Sequence, residues 1–228
     1  MSELTLLLGI DTCGPSGSVA LGRANGQAVE ILDQIELEGR SYSSTMVAAV
    51  GELLTRGGAA LREVGAIVAV NGPGSFTGVR VGLSAVKGLA EATQIPVVAV
   101  SRLEVLAVKA GLASAAIDAH RQEVFLRLGR AGGQARELLA GAAEFAATDP
   151  PPARVAVCDE AAALLLEAAW PAAELARTVA PTAADALQLC WPRVVAGQFV
   201  DLVLLDGYYL RRSDAEIFGE SAAARQRP

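Results

Sequence analysis

Apolar residues along this chain fall into short unbroken runs, separated by longer stretches in which they recur every three or four positions. The run at 4–10 predicts a buried strand, and 18–21 and 28–35 predict two more. Turns at Gly14-Pro15-Ser16-Gly17 and Asn25-Gly26 separate them, the second being a strong hairpin signal. Over 41–55, Met46, Val50 and Leu53/Leu54 lie near helical spacing, and Gly57-Gly58 closes the helix they predict. A strand at 66–70, a glycine-rich turn, a helix over 77–92 and a strand at 97–100 follow. Ser101-Arg102-Leu103-Glu104 then opens another helical pattern, in which Arg102 and Glu104 are not at contact spacing.

A second pass begins near residue 113. Ala115-Ala116-Ile117-Asp118-Ala119 repeats the form of Leu8-Gly9-Ile10-Asp11-Thr12, an apolar strand ending in Ile-Asp, and a β-type run follows each. Arg154-Val155-Ala156-Val157 precedes a helical pattern, as 66–70 does. The repetition predicts two related α/β lobes facing a cleft, with Asp11 and Asp118 at the mouth of each first hairpin. The stretch 139–153 reads as a surface helix and loop, 159–169 and 182–196 as alanine-rich helices, and the tail from Ser213 as a polar end.

Composition narrows what such lobes can do. The 228 residues suit one large domain or two small lobes; at 52% hydrophobic but only 4% aromatic, the core must be built from Ala, Val and Leu. A net charge of −6 suits a chain that does not grip nucleic acid alone, because phosphate neutralisation dominates such affinity. Three dispersed cysteines (Cys13, Cys158, Cys190) make no disulfide framework and point to a reducing compartment. No basic region precedes the first apolar run, and Asp11 interrupts it, so neither a signal peptide nor a membrane span is expected; the expectation is a soluble cytoplasmic protein. His120 is the only histidine, whereas the common zinc and iron hydrolases need at least two imidazoles. Magnesium held by carboxylates stays open.

The candidate chemistry centres on Asn71-Gly72-Pro73-Gly74-Ser75-Phe76-Thr77-Gly78-Val79-Arg80. A strand that ends in a glycine turn and opens a helix aims backbone N–H groups at one point, which suits an anion or a closely approaching backbone. Asp11 and Asp118 allow two readings: carboxylates around a nucleotide phosphate and Mg²⁺, or turn aspartates holding local N–H groups. The second half has no glycine loop, and Cys158-Asp159-Glu160-Ala161 puts two acids where a phosphate would approach. Within the helix at 77–92, Gly78, Gly82, Ala85 and Leu89 form a narrow small-residue stripe beside an apolar one of Val79, Leu83, Val86 and Ala90. One stripe suits the sheet, and the other suits either a close partner helix or further burial within the chain. Arg80 reads as an anion or partner contact or as a solvated arginine, Cys13 as a bland small residue rather than a nucleophile, and His120 as a turn residue rather than a general base.

Together these segments resemble the TsaB (YeaZ) family, the bacterial partner proteins of tRNA threonylcarbamoyladenosine synthesis. Gly9-Ile10-Asp11-Thr12, the string from Asn71 to Gly82, Ile117-Asp118-Ala119 with Glu123-Val124-Phe125, and Tyr209-Leu210-Arg211 carry the resemblance, which covers nearly the whole chain. It implies the fold class of acetate kinase, Hsp70 and actin (ASKHA, RNase H-like): two duplicated lobes with mixed sheets flanked by helices, an N-terminal lobe 1–103 rejoined by the segment 208–228, and a smaller lobe 104–207. It also implies that TsaD, the catalytic relative, holds the metal and ATP and transfers the threonylcarbamoyl group to adenosine 37 of tRNA, with TsaE as an ATPase. In the Val-x-His-Leu-Glu-x-His pattern of that relative, the two histidine positions fall on Arg102 and Leu106, neither of which can hold the metal. Two departures from the family pattern itself are the histidine missing from Gly39-Arg40-Ser41-Tyr42-Ser43-Ser44 and the proline missing before Tyr208-Tyr209.

The resulting expectation is a non-catalytic scaffold with no cofactor of its own and at most weak nucleotide binding at Asp11, Thr12, Gly72, Gly74 and Asp118. Its partner-binding residues would be Ser41, Ser44, Thr45, Ala48, Gly78, Val79, Gly82, Leu83 and Val86, pairing with TsaD or with a second copy; tRNA would be reached only through the complex, and no membrane is involved. Val86→Glu or Gly82→Leu is expected to abolish pairing and leave the monomer folded. The rival is a stand-alone ATPase or phosphotransferase of the same fold using Asp11 and Asp118 around Mg·ATP; the single histidine speaks against a metallopeptidase.

Overall fold

The computed structural model describes residues 5–26, 28–39, 41–129 and 134–211. The expected polar end from Ser213 lies outside the described residues, as does most of the segment 208–228. Strands β1 (Thr5–Asp11), β2 (Ser16–Asn25) and β3 (Ala28–Glu38) form an antiparallel meander, and β1 pairs in parallel with β4 (Val64–Val70), which pairs with β5 (Val97–Val100). The sheet order is β3-β2-β1-β4-β5. Helices α1 (Tyr42–Arg56) and α2 (Phe76–Thr93) are the crossovers into β4 and β5.

The second half repeats this frame. Strands β6 (Ala115–Asp118), β7 (Val124–Leu128), β8 (Arg136–Ala140), β9 (Arg154–Val157) and β10 (Glu174–Arg177) are ordered β8-β7-β6-β9-β10, the same arrangement with the same parallel and antiparallel pairings. Helices α4 (Ala142–Ala147) and α5 (Glu160–Ala169) take the places of α1 and α2. The fold is thus two duplicated α/β lobes with mixed sheets. Two strands differ from the reading of the sequence: β8 opens the region expected to be helix and loop, and β10 went unread. Both are edge strands, with buried positions outnumbered by half-exposed ones, so their apolar signal is weak.

The helix that follows each sheet crosses to the other lobe. Helix α3 (Arg102–Lys109), after β5, packs on β6, β7 and β9, while α6 (Ala183–Val195), after β10, packs across β1, β2, β3 and β4. The first turn of α6 is received by the first sheet: the N–H of Ala183 donates to Ser18 Oγ (2.8 Å) and that of Ala184 to Gln34 Oε1 (3.2 Å). A division at residue 103 therefore follows chain order, but packing places α6 with the first sheet and makes the first core larger than either of the two clusters of the second sheet. Lys109 Nζ on α3 bonds Asp185 on α6 (2.7 Å), tying the exchanged helices together. No helix among the described residues is long and apolar enough to cross a membrane.

Candidate functional site

The lobes enclose a cleft of about 1210 Å³. The β1–β2 turn (Cys13, Gly14) and the glycine loop (Pro73 to Phe76) line one wall, the β6–β7 turn (Asp118 to Arg121) and Asp159 the other, and the residues from Tyr208 to Arg211 run along it. Beneath the first wall lies Asp11, fully buried. Its Oδ1 accepts the N–H of Cys13 (2.8 Å), and its Oδ2 stands 3.7 Å from Nε of Arg102, whose side chain is only 4% exposed. Arg102 is the first residue of α3, delivered there by the turn after β5, and its own N–H donates to Gly72 O (2.7 Å). Burial alone would ease the proton off this guanidinium, but Asp11 and its neighbours hold its pKa above the ordinary arginine value. The pair consumes the first of the two carboxylates that a Mg·ATP site would need.

The other candidates for nucleotide binding divide. Thr12 is buried and turned away from the cleft, its hydroxyl donating to Gly78 O at 2.7 Å. Gly72 (φ +115°) is packed against the backbone of Tyr208, and Gly74 against Cys13, whose carbonyl accepts the Ser75 N–H at 2.8 Å. The glycines of the loop therefore serve close backbone approach: a Cβ on Gly74 would strike the Cys13 carbonyl. Asp118 does reach the cleft. Its carboxylate turns back on its own hairpin, accepting the His120 N–H (2.8 Å) and facing His120 Nδ1 (2.8 Å). His120, Arg121 and Gln122 all have φ near +60°, a left-handed run without glycine at the cleft rim. Asp159, one of the two acids after β9, caps α5 through the Ala162 N–H (2.7 Å) and accepts the Asp118 N–H (3.0 Å). Cys13 is a buried thiol donating to Val70 O (3.2 Å); burial, reinforced by Asp11, raises its pKa and makes it a poor nucleophile.

The partner-binding expectation on α2 needs correcting. Gly78, Val79, Gly82, Leu83 and Val86 are all buried in the chain's own core. A Cβ on Gly78 would strike the carbonyl of Thr12, and one on Gly82 its hydroxyl oxygen, so the small-residue stripe lets α2 sit on the end of β1. Val86 faces the first core, fully buried, so Val86→Glu would unfold the chain and tests no interface. The outward residues are others: Thr77, Ser84 and Gly88 on α2, and Ser44, Val47, Ala48 and Gly51 on α1, which packs beside it. Neither Gly51 nor Gly88 meets anything within 4 Å of its would-be Cβ. Each costs its helix roughly 1 kcal/mol against alanine with no internal contact in return. Of the α1 candidates, Ser44 and Ala48 are exposed and Ser41 and Thr45 half-buried; the hydroxyls of Ser44 and Thr45 both donate to Ser41 O (2.9 Å).

Residues to which the sequence assigned no joining role link the lobes. Tyr208 N–H donates to Asn71 O (2.7 Å), and the Tyr209 ring packs on Phe76 at 5.1 Å. Arg80 lies 3.7 Å over the Phe76 ring and donates to the Tyr209 hydroxyl (3.3 Å), so it is no freely solvated arginine. Arg211 reaches the other lobe, donating to Ala119 O (2.5 Å) and pairing with Glu123. The signal for these was the cluster Tyr208-Tyr209-Leu210-Arg211, aromatic and basic in an otherwise bland stretch.

The family model described as TsaD, tRNA N6-adenosine threonylcarbamoyltransferase, matches residues 31–149, which is 119 of the 228 residues. The chain belongs to that family. Within the TsaD family its resemblance is to TsaB and YeaZ. It is 37% identical over 131 residues to the tRNA threonylcarbamoyladenosine biosynthesis protein TsaB of Haemophilus influenzae, covering 55% of this chain and 53% of that protein. It is 36% identical over 126 residues to the TsaB of Bacillus subtilis, covering 54% of each. The match spans about half the length of these curated relatives. The solved structure of YeaZ from Pseudomonas aeruginosa superposes with a TM-score of 0.70 at 28% identity, over 90% of this chain and all of that one. The two-lobed frame of this TsaD-family chain is therefore that of YeaZ.

Proposed function

We propose that this chain is a non-catalytic subunit in the synthesis of N6-threonylcarbamoyladenosine in tRNA, docking on a TsaD-type transferase and activating it, with a TsaE-type ATPase as third component. The observation that carries this reading is the buried Arg102–Asp11 pair. At one of the two positions where the transferase pattern has metal-holding imidazoles, this chain has a guanidinium, and that guanidinium takes up the carboxylate a metal or Mg·ATP would need. The stand-alone ATPase is disfavoured for the same reason, and because Asp159 occupies the helix start where a second phosphate loop would lie. The TsaB relatives, proteins of tRNA threonylcarbamoyladenosine biosynthesis, support the pathway, and membership of the TsaD family supports a TsaD-type partner; the TsaE-type ATPase is part of the proposal.

The docking surface in this reading is the outer face of α1 and α2, with Ser44, Ala48, Gly51 and Gly88, whose small side chains admit a helix of the partner at close range. A second copy of this chain would use the same face when the transferase is missing. Activation follows from population: a transferase whose competent state is sparsely occupied gains activity when a partner binds that state preferentially. Contact with tRNA is indirect, and the complex works in the cytoplasm.

The test is co-expression with the TsaD of the same organism, followed by gel filtration and an assay of the modified nucleoside. Wild type co-elutes with TsaD and raises its activity. Ala48→Glu and Gly88→Arg keep the circular dichroism spectrum and cooperative thermal unfolding of the monomer but lose co-elution and activation. Retained co-elution in both variants overturns the docking face, and modification activity of the purified chain with no TsaD present overturns the scaffold reading.

A further inference from the structure

We propose that the cleft binds a small oxyanion, a phosphate or carboxylate group, on the Arg102 guanidinium and without a metal ion. This goes beyond the docking role and uses a different surface. Arg102 is nine-tenths buried and lines the cleft, yet its side chain donates no hydrogen bond to any described residue. Asp11 Oδ2, at 3.7 Å from Nε, balances the charge but is too far to accept a proton from it. A guanidinium is always charged, carries five donors in a planar fork, and matches an oxyanion two bonds at a time. Nε of that fork is buried without an acceptor, which is costly, and an oxyanion bound on the fork removes the cost.

A second source of positive potential points to the same place. The 18-residue helix α2 starts on the cleft wall, and the N–H groups of Gly74 and Phe76 find no acceptor among the described residues. Helix start and guanidinium are held together: the Arg102 N–H bonds Gly72 O (2.7 Å), Ser75 N–H bonds Cys13 O (2.8 Å), and Arg102 Nη2 lies against Gly14. The acids of the cleft limit the size of the ligand. Asp118 and Asp159 on the second-lobe wall and Glu38 at the end of β3 on the first line it together with Arg121 and Arg211, a mixed lining that suits one small charged group better than an extended polyanion. No group of three or more His, Cys, Asp or Glu side chains among the described residues is placed to hold a metal, and the nearest carboxylate is already taken by Arg102.

The full-length chain is titrated with inorganic phosphate, citrate and ATP, each with EDTA and with Mg²⁺, at an ionic strength fixed with chloride. Thermal midpoint and ³¹P line width are the readouts. Saturable binding of phosphate and citrate that EDTA leaves unchanged is expected, with affinity at least tenfold weaker in Arg102→Met. Asp11→Asn has the opposite sign: a guanidinium relieved of its carboxylate binds the anion at least threefold tighter. A merely structural ion pair would not tighten binding when broken, so Asp11→Asn carries the test should Arg102→Met fail to fold. Binding of ATP in EDTA at the strength of phosphate makes the nucleotide's phosphate one source of the group. The proposal is overturned by the lack of saturable binding, by equal binding in Arg102→Met, by no gain in Asp11→Asn, or by binding of ATP only with Mg²⁺ while phosphate and citrate fail.

Discussion

Strand β1 of the first lobe ends in Asp11, buried against Arg102, whereas the matching strand of the second lobe, β6, ends in Asp118, which sits at the cleft rim and turns back on His120. Both follow the same Ile-Asp ending in the same place of a repeated frame. Their neighbours decide the outcome. In the first lobe, Gly74, Gly78 and Gly82 let the glycine loop and α2 pack onto Cys13 and Thr12, the residues just after Asp11, and α3 brings in a cation. In the second, no glycine loop follows β9, a bulkier hairpin turn holds the rim open, and Asp159 caps the helix start itself. A duplicated frame thus preserves positions while the side chains around them assign opposite environments, so equivalence by position is no guide to chemistry.

The contrast can be broken most forcefully in the first-lobe core. Val86→Glu puts a carboxylate into the cluster beneath α2 and should cost more than about 4 kcal/mol, enough to abolish folding. Because α3 and α6 are exchanged between lobes, loss of that core should take the second lobe with it. Trp170 lies in the second core and Trp191 on α6, so single-tryptophan variants should report one coincident urea transition; two separated transitions would show independent lobes.

Next in size is the pair of aspartates themselves. Asp11→Ala leaves a buried guanidinium uncompensated and should cost about 3–5 kcal/mol, while Asp118→Ala loses bonds at a rim where the His120 side chain is 85% exposed and should cost about 1 kcal/mol or less. Equal costs in denaturant titrations would erase the distinction between the two sites. Smaller again is the contrast within α2. Gly82→Ala forces a methyl onto the Thr12 hydroxyl and should destabilise by about 1–3 kcal/mol, whereas Gly88→Ala meets open space and should stabilise the isolated chain by roughly 1 kcal/mol.

The gentlest test is pH. Burial holds Tyr42 and Cys190, both in the first core, protonated to about pH 12, against 10 and 9 in the unfolded chain. The unfolded chain then gives up its protons first, so this contribution is complete below pH 9 and falls as pH rises toward 12. The urea midpoint should decline over that range, and Cys190→Ala should shallow the decline; an equal slope in the variant would remove Cys190 from the account.

Much of the frame was readable. Apolar runs and helical periodicity located most strands and helices of both lobes, and the repeated Ile-Asp ending revealed the duplication. The edge strands β8 and β10 escaped because half-exposed strands carry little apolar contrast. The faces of α2 were harder. Its two stripes, one of small residues and one of aliphatic residues, both suit burial, and spacing cannot tell a sheet of the same chain from a helix of another. Gly78 and Gly82 proved to serve the sheet; Gly88, the glycine off both stripes, is the outward one.

The sequence by itself determined the order of elements, the doubling of the frame, the scarcity of imidazoles and the glycine turn before α2, because each is written in local spacing and residue type. Only the tertiary structure decided which lobe each crossing helix serves, that Arg102 lies on Asp11, and that Tyr209 and Arg211 join the two walls of the cleft. Arg102 and Asp11 are separated by about ninety residues, and Arg80 and Tyr209 by far more. Contacts over such separations arise from the packing of whole sheets and helices, which no local pattern encodes.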